Sequence, residues 1–360
     1  NVGQVWYNST SKALKGTTAG GAPSATWASG GNLNQARQQI TGCGIQTAAL
    51  AVAGEGPTYS ALSESYNGSA WTEGNDLNQA RAFATALGLQ TAALVVGGYD
   101  GGATYGLVES YDGTSYTEVN NLGSPRNASA SSGIQTAGLV FGGGPPAGGL
   151  TEEFDGTNWT ESGDLNTGRR ILAGAGTQTA SLAFGGSLDN GTSQSVTEEY
   201  NGTSWTEVAD LNTARAQLGG TGIVTSALAF GGNTGSLTGA TEVWNGSAWT
   251  EQGDLSVARK FFASAGANST AALAAGGGTP VSSSTEEFTG AGVPIGAWAT
   301  GGNLNTAREK IATASAGTQT AALGFSGANP SPSALTESYN GTSWTEVADL
   351  NTARKGAAGA

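Results

Sequence analysis

The chain has 360 residues, 14 basic against 27 acidic, a net charge of −13, and neither histidine nor methionine. This charge repels phosphate backbones and anionic membranes, and no apolar run approaches the about 20 residues of a membrane span, so we expect neither a nucleic-acid partner nor membrane insertion. Without histidine, the chain cannot perform histidine-based acid–base or nucleophilic catalysis, and it cannot be a histidine-ligated copper oxidase.

Composition predicts an all-β protein with many tight turns. Sixty glycines and few charged residues at helical spacing argue against helices. Cys43 is the only cysteine, and we expect it to be a small buried residue on the strand after Arg37. The missing methionine suggests a processed product or an internal piece of a longer polypeptide.

A repeat dominates the chain, with a mean period of 45 residues. An aromatic residue recurs eight times and is followed each time, ten residues later, by an arginine. The aromatic residues are Trp27, Trp71, Tyr116, Trp159, Trp205, Trp249, Trp298 and Trp344. The arginines are Arg37, Arg81, Arg126, Arg169, Arg215, Arg259, Arg308 and Arg354. Because no linker interrupts the repeat, we expect one domain over residues 1–360.

The first unit is degenerate. Residues 5–7 and 13–17 are predicted as strands, and the segment leading through Trp27 resembles the one around Trp298. This unit lacks a first strand of its own.

From Asn34 onward, each unit is predicted to form four antiparallel strands. The first follows the arginine, the second is a run of small apolar residues, the third reads Thr-Glu-x-aromatic, and the fourth carries the repeat aromatic. Asn-Gly or Asp-Gly stands between the third and fourth strands, as at Asn201-Gly202, and is a strong hairpin signal. Four-stranded units at this period are typical of propeller blades.

Eight arginines and eight aromatic strands predict eight blades, with seven as the alternative. A propeller leaves no unpaired edge if the C-terminal strand completes the N-terminal blade, so residues 354–360 are expected beside residues 5–7. Each arginine is predicted to pair with a glutamate of the third strand. Removal of Arg215 is therefore expected to leave Glu198, or a neighbouring glutamate, without its counter-charge. The alternative is a ring of arginines that binds anions.

Two resemblances accompany this pattern. The glycine pair, the third-strand aromatic, the tryptophan and the arginine are together similar to the kelch repeat, which implies a kelch-like β-propeller. The sequence departs from kelch in its Asn-Leu-Asn-Thr-Ala before the arginine and its short, alanine-rich strands. The segments NGTSWTEVADLNTAR and GTQTAALGF resemble repeats in virion and tail-fibre-like proteins of marine tailed bacteriophages. This resemblance implies a virion component.

No enzymatic site is predicted. The YNGTSW segments differ from the Asp-box of sialidases in spacing, and they recur in almost every unit, which favours a structural turn. Repeated carboxylates such as Glu207 and Asp210 would bind calcium only if several met at one point, and we interpret them as solvated turns or arginine partners. We therefore expect no catalytic residue, metal or cofactor.

The predicted binding surface consists of variable loops between the second and third strands. These are segments 55–61, 99–107, 144–150, 187–196, 233–240, 278–284 and 328–335. They are expected on one face, beside the constant Asp-Leu-Asn turns, where a rigid scaffold presents them together. Tyr59, Tyr99, Asp100 and Tyr105 are the predicted contact residues, because tyrosine stacks on sugars or protein surfaces at low entropic cost.

The predicted function is a non-enzymatic structural and recognition module of a phage particle. Its expected partners are other virion proteins, a host-surface receptor or a glycan. Two alternatives remain open: a bacterial surface or secreted lectin-like adhesin, and a glycan hydrolase or lyase that uses only carboxylates and tyrosines.

Overall fold

The structure is a computed structural model. It describes residues 5–8, 13–19, 25–146, 148–278, 280–290, 296–299, 305–306, 312–313, 322–326, 328, 331–340 and 343–354. The chain divides into two compact units, one of residues Ala25–Gly290 and one of Asn1–Ser24 with Ala291–Ala360. The expectation of a single domain over the whole chain stays a prediction.

All elements of the described residues are β-strands, as predicted. The first three strands are β1 (Val5–Asn8), β2 (Ala13–Ala19) and β3 (Thr26–Gly30). Blade 1 contains β4 (Thr41–Ile45), β5 (Ala48–Val52), β6 (Ser63–Tyr66) and β7 (Trp71–Glu73), and blade 2 contains β8 (Thr85–Leu89), β9 (Ala92–Val96), β10 (Val108–Tyr111) and β11 (Tyr116–Val119). Blade 3 contains β12 (Ala130–Ile134), β13 (Ala137–Phe141), β14 (Thr151–Phe154) and β15 (Trp159–Glu161), and blade 4 contains β16 (Ala173–Gly176), β17 (Ser181–Phe184), β18 (Thr197–Tyr200) and β19 (Trp205–Glu207).

The remaining strands complete the first unit and form the second. Blade 5 contains β20 (Gly219–Ile223), β21 (Ser226–Phe230), β22 (Thr241–Trp244) and β23 (Trp249–Glu251). Blade 6 contains β24 (Ala263–Asn268), β25 (Ala271–Ala275), β26 (Thr285–Thr289) and, as its outer strand, β3. The last strands are β27 (Gly296–Ala299), β28 (Ala312–Thr313), β29 (Ala322–Phe325), β30 (Thr336–Tyr339) and β31 (Trp344–Val347).

Residues 25–290 form a closed propeller of six blades. The inner strands β4, β8, β12, β16, β20 and β24 contact one another in sequence, and β24 contacts β4 to close the circle. The ring is closed by β3, which pairs with β26 so that Trp27 lies opposite Phe288. The fold class is therefore confirmed as an all-β propeller of four-stranded antiparallel blades.

The prediction of eight blades, with seven as the alternative, is wrong. The Trp27 strand does not start a blade of its own, because it supplies the fourth strand of blade 6. The predicted closure by N- and C-terminal strands, with residues 354–360 beside residues 5–7, is seen only in part: β1 pairs with β2, and β2 pairs with β27 from the C-terminal part of the chain. Residues 355–360 lie outside the described residues.

The second unit contains two sheets in its described part. One has the order β1-β2-β27, and the other is a four-stranded blade, β28-β29-β30-β31. Leu323 in this blade is 41% exposed, whereas Leu50, Leu94 and the other equivalent leucines of the six-bladed ring are at most 1% exposed. Only in the ring does the repeat bury this position completely.

The hairpin between the third and fourth strands forms as its sequence predicts. In blade 4, the Asn201 side chain accepts hydrogen bonds from the backbone N–H groups of Thr203 and Ser204 at 3.0 Å. Gly202 follows with φ = +93°, a conformation that costs glycine little. The turn brings Tyr200 and Trp205 opposite each other, with ring centroids 4.9 Å apart. The other five blades hold the same aromatic pair at 4.5 to 5.4 Å.

The fourth-strand tryptophans also connect neighbouring blades. The indole N–H of Trp205 donates to the hydroxyl of Thr151 in blade 3, at 3.0 Å. Trp71 of blade 1 donates in the same way to Thr285 of blade 6, across the point where the ring closes. The core consists of such contacts between blades, because each two-sided sheet packs both faces against its neighbours.

The predicted arginine–glutamate pairs are confirmed in all six blades of the ring. The pairs are Arg37–Glu64, Arg81–Glu109, Arg126–Glu152, Arg169–Glu198, Arg215–Glu242 and Arg259–Glu286. Arg215 thus pairs with Glu242, at 3.0 Å, and not with Glu198. Each arginine binds the glutamate that follows it in the chain. Arg308 lies outside the described residues, and Arg354 is exposed.

Candidate ligand-binding face

The variable loops of the ring gather at one end of the blades, where the inner strands begin. The first residue of each loop pairs with the residue just before an inner strand, as Glu55 does with Gln38 and Tyr99 with Ala82. The Asp-Leu-Asn turns lie beside the loops, because the Leu77 N–H donates to the Ala61 carbonyl at 3.0 Å. The loop face therefore consists of the variable segments and these turns, as expected.

A channel of about 230 Å³ runs along the inner strands. Small residues line it, including Gly42, Ala86, Ser131, Gly174 and Gly220, so six strands approach one another closely around the axis. Cys43 is buried at this channel, and burial raises the pKa of its thiol to about 12. The predicted burial of Cys43 is thus confirmed.

Six residues surround the channel at the loop face, one from each blade, and we call them the mouth ring. Each stands two positions after a repeat arginine and has a positive φ between 49° and 61°. The mouth ring consists of Gln39, Phe83, Ala128, Ile171, Gln217 and Phe261. Positive φ is uncommon for residues with a side chain, and such strain clusters at functional sites.

Backbone hydrogen bonds hold the mouth ring in place. The Phe83 N–H donates to the Gln39 carbonyl at 3.2 Å, and the Ala128 N–H donates to the Phe83 carbonyl at 2.8 Å. Ile171, Gln217 and Phe261 continue the series, each donating to the preceding member at 2.7 to 3.2 Å. Five links of this kind make the channel mouth a rigid rim whose side chains differ from blade to blade.

Aromatic and amide side chains occupy this rim. The Phe83 and Phe261 rings meet edge to face with centroids 5.4 Å apart, although their blades are not neighbours. The side-chain oxygens of Gln39 and Gln217 are buried and accept no hydrogen bond. A buried amide oxygen without a donor carries an energetic cost, which an O–H or N–H group reaching it would relieve.

The four predicted contact residues lie together beside this mouth. Tyr59 meets Tyr99 edge to face at 6.0 Å, and Tyr99 is bonded through its backbone to Ala82, the residue before Phe83. The Tyr105 hydroxyl donates to the Asp100 carboxylate at 2.5 Å. These four were predicted from the shared face of the variable loops and from the contact chemistry of tyrosine, and their role in binding stays a prediction.

Asp100 organises its loop. Its other oxygen accepts the N–H groups of Gly102 and Ala103 at 2.9 and 2.8 Å. The Tyr105 hydrogen bond, supported by these two, lowers the pKa of Asp100 to about 2. Tyr59 packs against Gly101, where a Cβ atom would come within 2.7 Å of the tyrosine ring, so this contact requires glycine.

The repeated carboxylates have structural partners. Asp210 accepts the Thr197 N–H at 3.1 Å, and Glu198 binds Arg169. Across the part of the chain that the structure describes, no three acidic or cysteine side chains cluster in a way that would hold a metal ion. Asp210 thus fixes a turn and Glu198 an arginine, as the sequence interpretation favoured for these two carboxylates.

Sequence reasoning missed the mouth ring. Its signal was a position of constant register and changing residue type, two places after each repeat arginine. A change of residue type at a fixed position of the repeat is typical of a surface that binds different ligands. The positive φ that turns these side chains toward the axis, however, is not visible in the sequence.

Two comparisons of the sequence, with family models and with curated proteins, found no match. Neither the kelch resemblance nor the resemblance to phage proteins receives support from these comparisons. The described residues include no helix long and apolar enough to cross a membrane.

Proposed function

We propose that the protein is a non-enzymatic recognition module that binds its partner at the channel mouth and the variable loops around it. One observation carries this proposal. The contacts inside the blades repeat around the ring, whereas the six mouth-ring positions, all with positive φ, hold side chains that differ between blades. Buried ion pairs and aromatic pairs repeat from blade to blade, whereas the loop face does not repeat.

A protein or a glycan is the partner class we favour. Tyr59 and Tyr99 offer aromatic faces, and Asp100 with the two mouth glutamines offers hydrogen-bond acceptors. This combination is suited to a polar ligand with hydroxyl groups. The resemblance of the repeat segments to phage virion proteins supports a location on a phage particle, at an appendage or on the capsid surface.

An array of immobilised glycans and bacterial surface extracts tests the proposal. The double variant Tyr59→Ala with Tyr99→Ala is expected to lose the signals that the parent protein gives, while its melting temperature changes little because both residues lie on loops. The matched control is Thr203→Ala with Ser204→Ala, two exposed residues of the opposite-face hairpin in blade 4.

The control variant is expected to keep every signal. Loss of binding in the control with retention in the loop variant would place recognition on the hairpin face and overturn the proposal.

A further inference from the structure

The positive charges of the ring have an uneven distribution. Six of the eight basic residues between positions 25 and 290 are the repeat arginines held in buried ion pairs with glutamates. The other two are Arg170 and Lys260. Each immediately follows a repeat arginine, so both occupy the same register position, on blades 4 and 6.

This register position lies at the channel mouth. Arg170 and Lys260 directly precede the mouth-ring residues Ile171 and Phe261. Their backbones are fixed by paired hydrogen bonds to the first loop residues, Arg170 to Ser187 and Lys260 to Gly278, at 2.9 to 3.2 Å. The equivalent residues of the other blades are uncharged: Gln38, Ala82, Asn127 and Ala216.

The side of the mouth formed by blades 4 to 6 combines cationic, aromatic and amide side chains. The Lys260 ammonium lies 5.4 Å from the centroid of the Phe261 ring, which itself lines the channel. Gln217, with its unpartnered amide oxygen, belongs to blade 5 and therefore stands between Arg170 and Lys260 around the axis. The Arg170 Nε is also buried and has no hydrogen-bond acceptor.

We propose that this side of the mouth binds the carboxylate of an acidic sugar, such as a uronic acid. This inference rests on the proposed function and names its ligand class. Arg170 and Lys260 bind the carboxylate, the amide oxygens of Gln217 and Gln39 accept sugar hydroxyls, and the Phe261 ring packs against the apolar face of the sugar.

The surrounding charge selects against polyanions. The protein carries a net charge of −13, and Glu55 and Asp100 lie in loops of the same face. A highly sulfated or phosphorylated chain is repelled by this field, whereas one carboxylate between two cations is not. Hydroxyl groups of the sugar can in addition donate to these acidic side chains.

Isothermal titration of the full chain with glucuronate tests the inference, with glucose and glucose 6-sulfate as comparison ligands. Glucuronate is expected to bind more tightly than glucose, and the double variant Arg170→Gln with Lys260→Gln to lose about ten- to a hundredfold in affinity. Arg170→Lys is expected to retain part of the affinity because it keeps the charge. Gln38→Ala, at the neutral equivalent position of blade 1, is the matched control, and its affinity is expected to stay near that of the parent.

Melting curves accompany each titration, and they should not shift for the double variant, since neither cation belongs to a framework ion pair. Equal affinity for glucose and glucuronate, or affinity unchanged by the double substitution, overturns the acidic-sugar inference. If the loop variants nevertheless lose their array signals, the recognition proposal stands without it. Oligosaccharides ending in glucuronate then distinguish a free sugar acid from a terminal glycan residue.

Discussion

Arg169 shows how single side chains organise a blade. Its guanidinium donates to the carbonyls of Gly185 and Val196, at 2.8 and 2.7 Å, and to Glu198 at 2.9 Å. The backbone and side-chain amides of Asn166 donate to the second oxygen of Glu198, at 2.7 and 2.9 Å. Four of the six blades contain this Asn-x-x-Arg segment, in which both polar residues bind one glutamate, whereas Gly123 and Ser256 take the asparagine position in blades 3 and 6.

Replacing Arg169 with methionine is expected to destabilise the fold by about 3–5 kcal/mol, because it leaves Glu198 buried without its counter-charge. Burial lowers the pKa of the Arg169 guanidinium, and the neighbouring Glu198 carboxylate opposes that shift. Urea denaturation measures the loss. Arg170→Met is the neighbouring control, and a similar loss there would contradict the role given to the ion pair.

The Asp100 loop has a predictable dependence on pH. Because the folded-state pKa of about 2 lies below the ordinary value of 3.8, the ionised carboxylate favours the folded loop above 3.8, and this contribution is lost as the pH falls toward 2. Carboxylate NMR shifts report the titration. Tyr105→Phe is expected to raise the pKa of Asp100 toward 3.8, whereas Tyr59→Phe is expected to leave it unchanged. An unaltered pKa in Tyr105→Phe would show that the hydroxyl does not hold the carboxylate.

At the scale of elements, local signals predicted the strands and hairpins well. Asn201-Gly202 and its counterparts specify their turns through their own side chains and backbone freedom, so a single sequence reveals them. The Arg–Glu pairs were also predictable, because their spacing is constant. Tyr99, Asp100 and Tyr105 are close in sequence, whereas Tyr59 comes from the loop of the neighbouring blade and could be grouped with them only because the loops were expected on one face.

The number of blades was not predictable from spacing. Strand β3 pairs with β26, so Trp27 meets Phe288, which lies 261 positions later in the chain. Nothing near Trp27 specifies that partner. Six of the eight aromatic strands, including the Trp27 strand, belong to the ring, whereas β27 and β31 belong to the second unit, and spacing alone does not distinguish the two groups. The mouth ring was not predicted for a related reason, because its geometry depends on strands from all six blades.

Trp27 is the residue on which closure depends most. Its ring lies 5.1 Å from Phe288 and 5.0 Å from Phe230, and its indole N–H donates to Thr241 at 3.0 Å. Trp27→Ala is expected to cost about 3 kcal/mol. The Cys43 thiol, buried in blade 1, should react faster with a disulfide reagent in this variant if the ring opens more often. An unchanged reaction rate at equal loss of stability would indicate that β3 does not gate opening.

At the scale of the whole molecule, the closed ring creates the recognition face. Six inner strands surround the channel, and only their closure brings Gln39 of blade 1 beside Phe261 of blade 6. Strand β3 completes blade 6 on its outer side, and the inner strand β24 of the same blade contacts β4 to close the circle around the channel. The pairing of β3 with β26 therefore joins the start of the ring to its last blade.

An engineered disulfide between β3 and β26 tests whether this strand closes the ring. Thr26 and Thr289 are exposed and directly opposite in the β3–β26 pair, within reach of a disulfide bond. In a Cys43→Ala background, Thr26→Cys with Thr289→Cys is expected to form an intramolecular disulfide nearly completely, seen by peptide mapping, and to raise the melting temperature. The control pair Thr26→Cys with Thr203→Cys joins blade 6 to blade 4 and should stay reduced. Two free thiols at positions 26 and 289 under oxidising conditions would contradict a six-bladed ring closed by this strand.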